Sequence, residues 1–479
     1  MKVLPLILFL VVMVSVLNPS PASYYSPAWF PPIRRRLPWI HVCGTHFVTQ
    51  YGDYVTFHGV DYTGMEVEPF FADNWPPAWP TSRDFEVMAS WGFNLMRLGV
   101  GWCHVEPRPG VYNTTYIDLI KHVVSLANEY GIYVILYMNC MPPWAQPGVS
   151  SICIGSPSLW YNSTLIEDLA SAWGYVASSF SNDPGVLGYD IYNEPLAPPP
   201  PNWSEAQVYS AIARLDNACV ASIRKVDARH VIFYESGHWA ASVHPSYWVE
   251  PNDPSHQLVI EVHDYGVASN PAGSAAILSA AVNASRSWGV PVIVGEFGFT
   301  DDVTYLSQYV SYFDARGFSW CYWSYGIGEY YTFHARGKQY GGVKWTVTYA
   351  LEEPYPALSS SPLLGFKVQR PLLTRYVTLT ASFNSSKGWA LFFIPYGYTP
   401  YGYSNFNSSD RLLNLTYAGG AVTLNLIGPP VNWAYALDQV AVYLYAAIAV
   451  AVVASALLVY VKKKGLGALK GKLEKARKS

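Results

Sequence analysis

The sequence predicts an α/β protein: a TIM-type (β/α)8 barrel, then a small C-terminal β-sandwich, then a single transmembrane helix. Three observations predict it. Eight short apolar runs alternate with longer, mostly helix-periodic segments between Tyr54 and Trp323; helical periodicity ends near Glu353; and Val440 to Val461 carries no charge.

Met1 to Ala22 reads as a secretory signal peptide: Lys2, the apolar run "VLPLILFLVVMVSVL", and small residues at Ser20-Pro21-Ala22 where cleavage would fall. An uncleaved N-terminal anchor is the alternative. Either reading exports the body.

The barrel is expected over residues 45–350. Its eight runs are "YVTFHGV" from Tyr54, "NLMRLGV" from Asn94, "YVILYM" from Tyr133, "VLGYDIY" from Val186, "HVIFYE" from His230, "LVIEVH" from Leu258, "PVIVGE" from Pro291 and "FSWCYW" from Phe318. Between them, "YIDLIKHVVSLANEYG" sets Ile117, Ile120, Val123, Val124 and Ala127 on one face and stops at Gly131. "EAQVYSAIARLDNACVASIRKVD" and "VTYLSQYVSYFDARG" repeat the pattern. Near-continuous apolar strands alternating with helices mark a parallel sheet buried on both faces. An open doubly wound sheet would carry a Gly-rich phosphate loop after its first strand, and none is found.

Residues 353–430 lose the helical period. "YVTLTASF", "GWALFFIPYG", "LLNLTYAG" and "AVTLNLIG" are strand-like and broken by Gly, Asn and Ser, as a β-sandwich requires. Residues 440–461, helical, would span about 33 Å at 1.5 Å per residue, enough to cross a bilayer. Lys462, Lys463 and Lys464 follow at once and mark the cytoplasmic side. The basic tail, 462–479, has eight basic residues and one acid, so of the whole-chain charge of −3 the rest carries −10. That balance excludes a basic nucleic-acid surface. The expected location is the cell membrane, single-pass, with the barrel outside.

The composition, 51% hydrophobic, 16% aromatic and 13% charged, argues for a folded body. Six cysteines, Cys43, Cys103, Cys140, Cys153, Cys219 and Cys321, lack zinc spacing. Cys140 and Cys153, in one expected loop, are the best disulfide candidates; Cys219 and Cys321 read equally well as small buried hydrophobes. Seven Asn-X-Ser/Thr sites, at Asn113, Asn162, Asn202, Asn283, Asn384, Asn407 and Asn414, suit an exposed body.

A parallel barrel collects its chemistry at the C-terminal ends of its strands. After the second strand come Arg97 and then Trp102; the fourth ends in Asn193-Glu194 ("YDIYNEP"). His263 ends the sixth with Tyr265 just beyond, Glu296 ends the seventh, and Trp323 the eighth. Each has an ordinary structural reading: Arg97 as a buried ion-pair partner, His263 as a core histidine, Trp323 as core, Glu194 as a turn residue. Together, at strand ends facing one cleft, they suit glycoside hydrolysis. One carboxyl protonates the leaving oxygen while the other attacks carbon or activates water. No metal or other cofactor is required.

With these residues the chain resembles glycoside hydrolase family 5, the cellulase-type retaining β-glycosidases of clan A, over roughly Tyr54 to Trp323. The resemblance implies that Glu194, after Asn193, is the general acid/base and Glu296 the nucleophile. It places Arg97, His263, Tyr265 and Trp323 at supporting positions. "NLMRLGVGWCHVEPRPGVYN" and "EPYPALSSSP" resemble endoglycoceramidase-type members, which also carry a C-terminal β domain; "FHGVDYTGMEVEPF" is more similar to archaeal or bacterial endoglucanases. One position departs from the pattern. Where many relatives have Asp-X-His after the third strand, this chain has Tyr137-Met138-Asn139, and Asn139 can bond a sugar hydroxyl but cannot titrate. The expectation is a membrane-anchored retaining β-glycosidase acting on a β-linked glycan or a glycolipid headgroup. The rival readings are a non-catalytic carbohydrate-binding surface protein and a purely structural envelope protein. The intact glutamate pair favours the enzyme.

Overall fold

The structure, a computed structural model, describes residues 36–66, 80–145, 157–326 and 345–429, apart from positions 197–198, 245, 268, 299, 301 and 372–373. Residues 1–22, 440–461, 462–479 and Cys153 lie outside the described residues, and with them the signal, span, tail and Cys140–Cys153 expectations. Among the described residues no helix is long and apolar enough to cross a membrane. Residues 26–369 and 377–427 form one compact unit; the other, Met1–Tyr25, Arg370–Tyr376 and Gly428–Ser479, is almost wholly outside the description.

The chain opens with β1 (Ile40–Cys43), β2 (His46–Thr49) and β3 (Tyr54–Val55). The barrel follows: β4 (His58–Thr63), β5 (Leu95–Gly101), β6 (Tyr133–Asn139), β7 (Val186–Asp190), β8 (Val231–Glu235), β9 (Leu258–His263), β10 (Val292–Glu296) and β11 (Ser319–Gly326). These close into one parallel barrel in chain order, β11 pairing with β4. From β5 to β10 every strand residue is buried, which is why the runs are apolar without alternation.

The run beginning at Tyr54 proves to be two strands. Thr56 N–H donates to Ala357 O and Phe57 N–H to Ser319 Oγ, so the backbone changes sheet between β3 and β4. The helix Thr114–Glu129 buries the five expected apolar residues and is capped by the Asn113 side chain, which accepts from Tyr116 N–H. Gly131, at φ 78°, takes the left-handed turn beyond it. Among the described residues the link between β8 and β9 holds no helix; Pro251 and Pro254 interrupt it.

The N-terminal end of the barrel is sealed. Ile40 and Phe47 from the β1–β2 hairpin pack with Phe57, Leu95, Ile135, Leu187, Phe233, Val259 and Ile293, with Phe47 edge-on to Phe57 at 5.3 Å. Burying each such side chain stabilises by roughly 1.5–3 kcal/mol. Chemistry is therefore confined to the other end.

The C-terminal strands are β12 (Tyr355–Ser359), β13 (Leu363–Gln369), β14 (Tyr376–Phe383), β15 (Lys387–Phe393), β16 (Thr399–Pro400), β17 (Phe406–Asn407), β18 (Leu412–Ala418) and β19 (Ala421–Ile427). They form a four-stranded sheet, β13-β14-β19-β16, and a seven-stranded sheet, β1-β2-β3-β12-β15-β18-β17. Val377, Leu379, Ala381 and Phe383 bury one face of β14, and Val422, Leu424 and Leu426 one face of β19. The seven-stranded sheet takes in β1 to β3, so strands from both ends of the chain share it. Cys219 and Cys321 are buried, unbridged thiols.

Candidate active site

Arg97 is central. Its side chain rises from the middle of β5, wholly buried, with its guanidinium carbon 4.0 Å from the centroid of the Tyr137 ring on β6. Five carboxylates surround it: Asp61 on Nη1 at 2.9 Å, Glu296 on Nη1 at 2.8 Å, Glu235 on Nη2 at 2.9 Å, Glu261 on Nε at 2.7 Å, and Asp190 on Nε and Nη2. They come from β4, β10, β8, β9 and β7. A parallel barrel can bring acids from so many strands to one cation because the interior positions of its strands stack in layers.

Five acids against one guanidinium and the His263 imidazole cannot all ionise in a dry interior. Burial pushes Asp61 well above the usual carboxylate range, against the pull of Arg97. Asp190 is pushed up to about 7 by burial, with the charge of Glu261 adding and Arg97 opposing. Glu235 is raised well above its ordinary value by burial, which outweighs His263 and Arg97. Burial alone would lower His263, yet the neighbouring charges, Glu296 first and then Glu235, hold it well above an ordinary histidine.

Glu296 ends β10 with its side chain 6% exposed. Arg97 Nη1 donates to Oε1 at 2.8 Å and the Tyr265 hydroxyl to Oε2 at 2.6 Å, fixing the carboxylate plane. Gly295 before it is required, because a Cβ there would overlap the Glu261 carboxylate. Glu194 lies in the turn after β7 at φ 48°, a left-handed conformation uncommon for a residue with a side chain, and is 26% exposed. Its Oε1 is 3.1 Å from His263 Nδ1, and that nitrogen is 3.4 Å from Glu296 Oε2. One oxygen of each glutamate and the ring of His263 thus fall within 4.8 Å of one another.

The structure brings the other expected residues to the same end. Asn193 accepts from Arg97 Nη2 at 2.9 Å. Trp323 is half-buried and its backbone N–H donates to Phe297 O at 2.8 Å, which sets it beside Glu296. Asn139 ends β6, 8% exposed, its carboxamide oxygen accepting from Cys140 N–H at 2.8 Å, so the NH2 is what it can offer a ligand. Trp102 does not join them: it is buried, with Nε1 donating to Glu106 at 2.8 Å. Asp61, Asp190, Glu235 and Glu261 were missed by sequence reasoning. Their signal was available as single acids inside apolar runs, "HGVDYT", "VLGYD", "VIFYE" and "LVIEVH".

A family model described as Cellulase (glycosyl hydrolase family 5) matches residues 51–329, more than half of the chain. The chain belongs to glycosyl hydrolase family 5. As a family 5 member it is a glycosidase, a hydrolase of glycosidic bonds. Endoglycoceramidase I of Rhodococcus hoagii is 25% identical over 350 residues, spanning 60% of this chain and 68% of that protein. An endoglucanase of Paenibacillus polymyxa is 24% identical over 331 residues, spanning 59% and 79%. Among solved structures, endo-glycoceramidase II from Rhodococcus sp. in its ganglioside GM3 complex matches with TM-score 0.61 at 19% identity, over 81% of this chain and 99% of that one. An endogalactoceramidase matches with TM-score 0.62 at 19% identity, over 82% and 100%. At such identities these structures support the fold.

Proposed function

We propose that this family 5 enzyme is a retaining β-glycosidase in which Glu296 is the nucleophile and Glu194 the acid/base. The observation that carries the reading is the approach of the two glutamates to within 4.8 Å through nearest oxygens, with His263 Nδ1 between them. Inverting enzymes hold their carboxyl groups roughly 6.5–9.5 Å apart to admit a water, retaining ones about 5–5.5 Å apart.

Glu194 gives its proton to the glycosidic oxygen as the bond to the anomeric carbon breaks. A Glu296 oxygen bonds that carbon, forming a glycosyl-enzyme. Glu194, now ionised, takes a proton from water, whose oxygen displaces Glu296 from carbon. Arg97 and Tyr265 hold both Glu296 oxygens and so aim the nucleophile. His263 Nδ1, which faces an oxygen of each glutamate, stabilises negative charge on either in turn. Trp323 offers a flat apolar face to a sugar ring, and the Asn139 NH2 a donor to a hydroxyl.

The substrate class is a β-linked glycan, either a β-glucan or a glycolipid headgroup. Relatives named endoglycoceramidase and the C-terminal sheets favour the glycolipid. Val440–Val461, uncharged and followed by Lys462 to Lys464, would anchor the chain with residues up to about Asp438 outside and the tail within. External protease should then release the barrel from intact cells; release of the tail instead overturns this topology. Substrate is tested by incubating the purified ectodomain with a panel of β-linked glycans and glycolipids, with Glu296→Gln as control. Hydrolysis of a panel member by the wild type alone supports the reading, and activity in the variant overturns it.

A further inference from the structure

Glu194 occupies a left-handed backbone conformation that its own side chain disfavours, so something outside the turn must hold it. Asn193 N–H donates to Met138 O at 2.9 Å, which anchors the preceding residue. The Glu194 N–H itself donates to Glu235 Oε2 at 2.7 Å. Glu235 ends β8, wholly buried, and its other oxygen, Oε1, accepts from Arg97 Nη2 at 2.9 Å and lies 3.5 Å from His263 Nε2. His263 faces Glu194 through its opposite nitrogen, Nδ1. Glu235 therefore reaches Glu194 by two routes, through the backbone amide and through the imidazole.

We propose that Glu235 is a positioning residue for the proton-transfer step: it holds the Glu194 backbone in its left-handed conformation and sets its carboxyl group against the His263 ring that faces the Glu194 carboxyl. It does not touch substrate. The proposal rests on the assignment of Glu194 as acid/base.

Glu235→Gln is nearly isosteric, but an amide has one accepting oxygen where both oxygens of the Glu235 carboxyl group accept. Either the Glu194 N–H or the Arg97–His263 side then meets an NH2. The test compares kcat/KM for the β-linked substrate found in the hydrolysis panel with that for its dinitrophenyl glycoside, whose leaving group departs without a proton. Glu235→Gln should lower the first by about 10- to 100-fold, a fraction of a general acid's usual contribution, and the second by less than about threefold. Equal losses on both, or none on either, overturn the proposal. Should Glu235→Gln fail to fold, Glu235→Asp serves, since it keeps a carboxyl group but withdraws it by one methylene from the Glu194 amide. It must show the same selective loss, and equal losses refute the role. Glu194→Gln is measured alongside. If its loss does not depend on the leaving group, the acid/base assignment fails; if it does while the folded Glu235 variant shows no such dependence, only the role of Glu235 fails.

Discussion

Glu66→Gln should stabilise the protein in neutral and mildly alkaline solution and do nothing in acid. Glu66 sits just beyond β4, wholly buried, with Oε2 accepting from Gly64 N–H at 2.8 Å. Burial lifts it from 4.5 to about 7, with the charge of Glu296 adding and the backbone hydrogen bonds and Arg97 opposing. The folded state thus keeps a proton that the unfolded chain loses above about pH 4.5. Where the native state binds more protons, stability falls as pH rises, so this group's full contribution is present below about pH 4.5 and is lost by about pH 7. At 1.36 kcal/mol per unit, the shift corresponds to about 3 kcal/mol. Gln keeps a carbonyl oxygen for Gly64 N–H and cannot ionise. Urea denaturation at about pH 4.5 and about pH 8 should therefore give equal midpoints in acid and a more stable variant in base, by up to about 3 kcal/mol. A variant no more stable at the higher pH, or equally stabilised at both, would refute the placement of a buried, proton-bearing acid beside the site.

Three further outcomes follow from the site's geometry. Tyr265→Phe removes the 2.6 Å bond to Glu296 Oε2 and should lower kcat/KM by about 10- to 100-fold, as losing a hydrogen bond to a charge does, with little change in thermal midpoint; an unaffected rate would place Tyr265 outside the machinery. Glu296→Gln should abolish turnover on every substrate, whereas Glu194→Gln should spare the first step for dinitrophenyl glycosides, seen as a burst of phenolate. A Glu296→Gln enzyme that still turns over contradicts the assignment. Asn139→Ala should weaken activity and Asn139→His retain or raise it, measured as kcat/KM on the panel substrate; an Ala variant equal to wild type shows that the NH2 meets no substrate.

The barrel was legible because its strands are buried on both faces, so each reads as a short apolar run whatever its neighbours. The helix Thr114–Glu129 was legible because its buried face recurs with helical period. Glu194, Glu296 and His263 could be placed from strand order alone, whereas Arg97, expected at a strand end, stands within β5 and is wholly buried. The interior acids were not, since an acid such as Glu261 within "LVIEVH" acquires meaning only when closure sets it against Arg97, 164 positions away in sequence. The split at Thr56 was hidden for a similar reason: β3 pairs with β12, Val55 opposite Leu358, and no local pattern announces a partner so distant. Trp102 stood at a strand end like the others, but it opens a one-turn helix, Trp102–Val105, and its indole finds Glu106 instead of the cleft.

The central claim is that Glu296 bonds to the anomeric carbon, and the stereochemistry of the first product tests it most directly. Proton NMR of a β-linked substrate, recorded in the first moments of hydrolysis before mutarotation, should show the β-anomer of the released sugar accumulating first, because two displacements at one carbon restore its configuration. Initial appearance of the α-anomer would mean a single displacement by water, and would contradict the nucleophile assignment even if both glutamate variants were inactive.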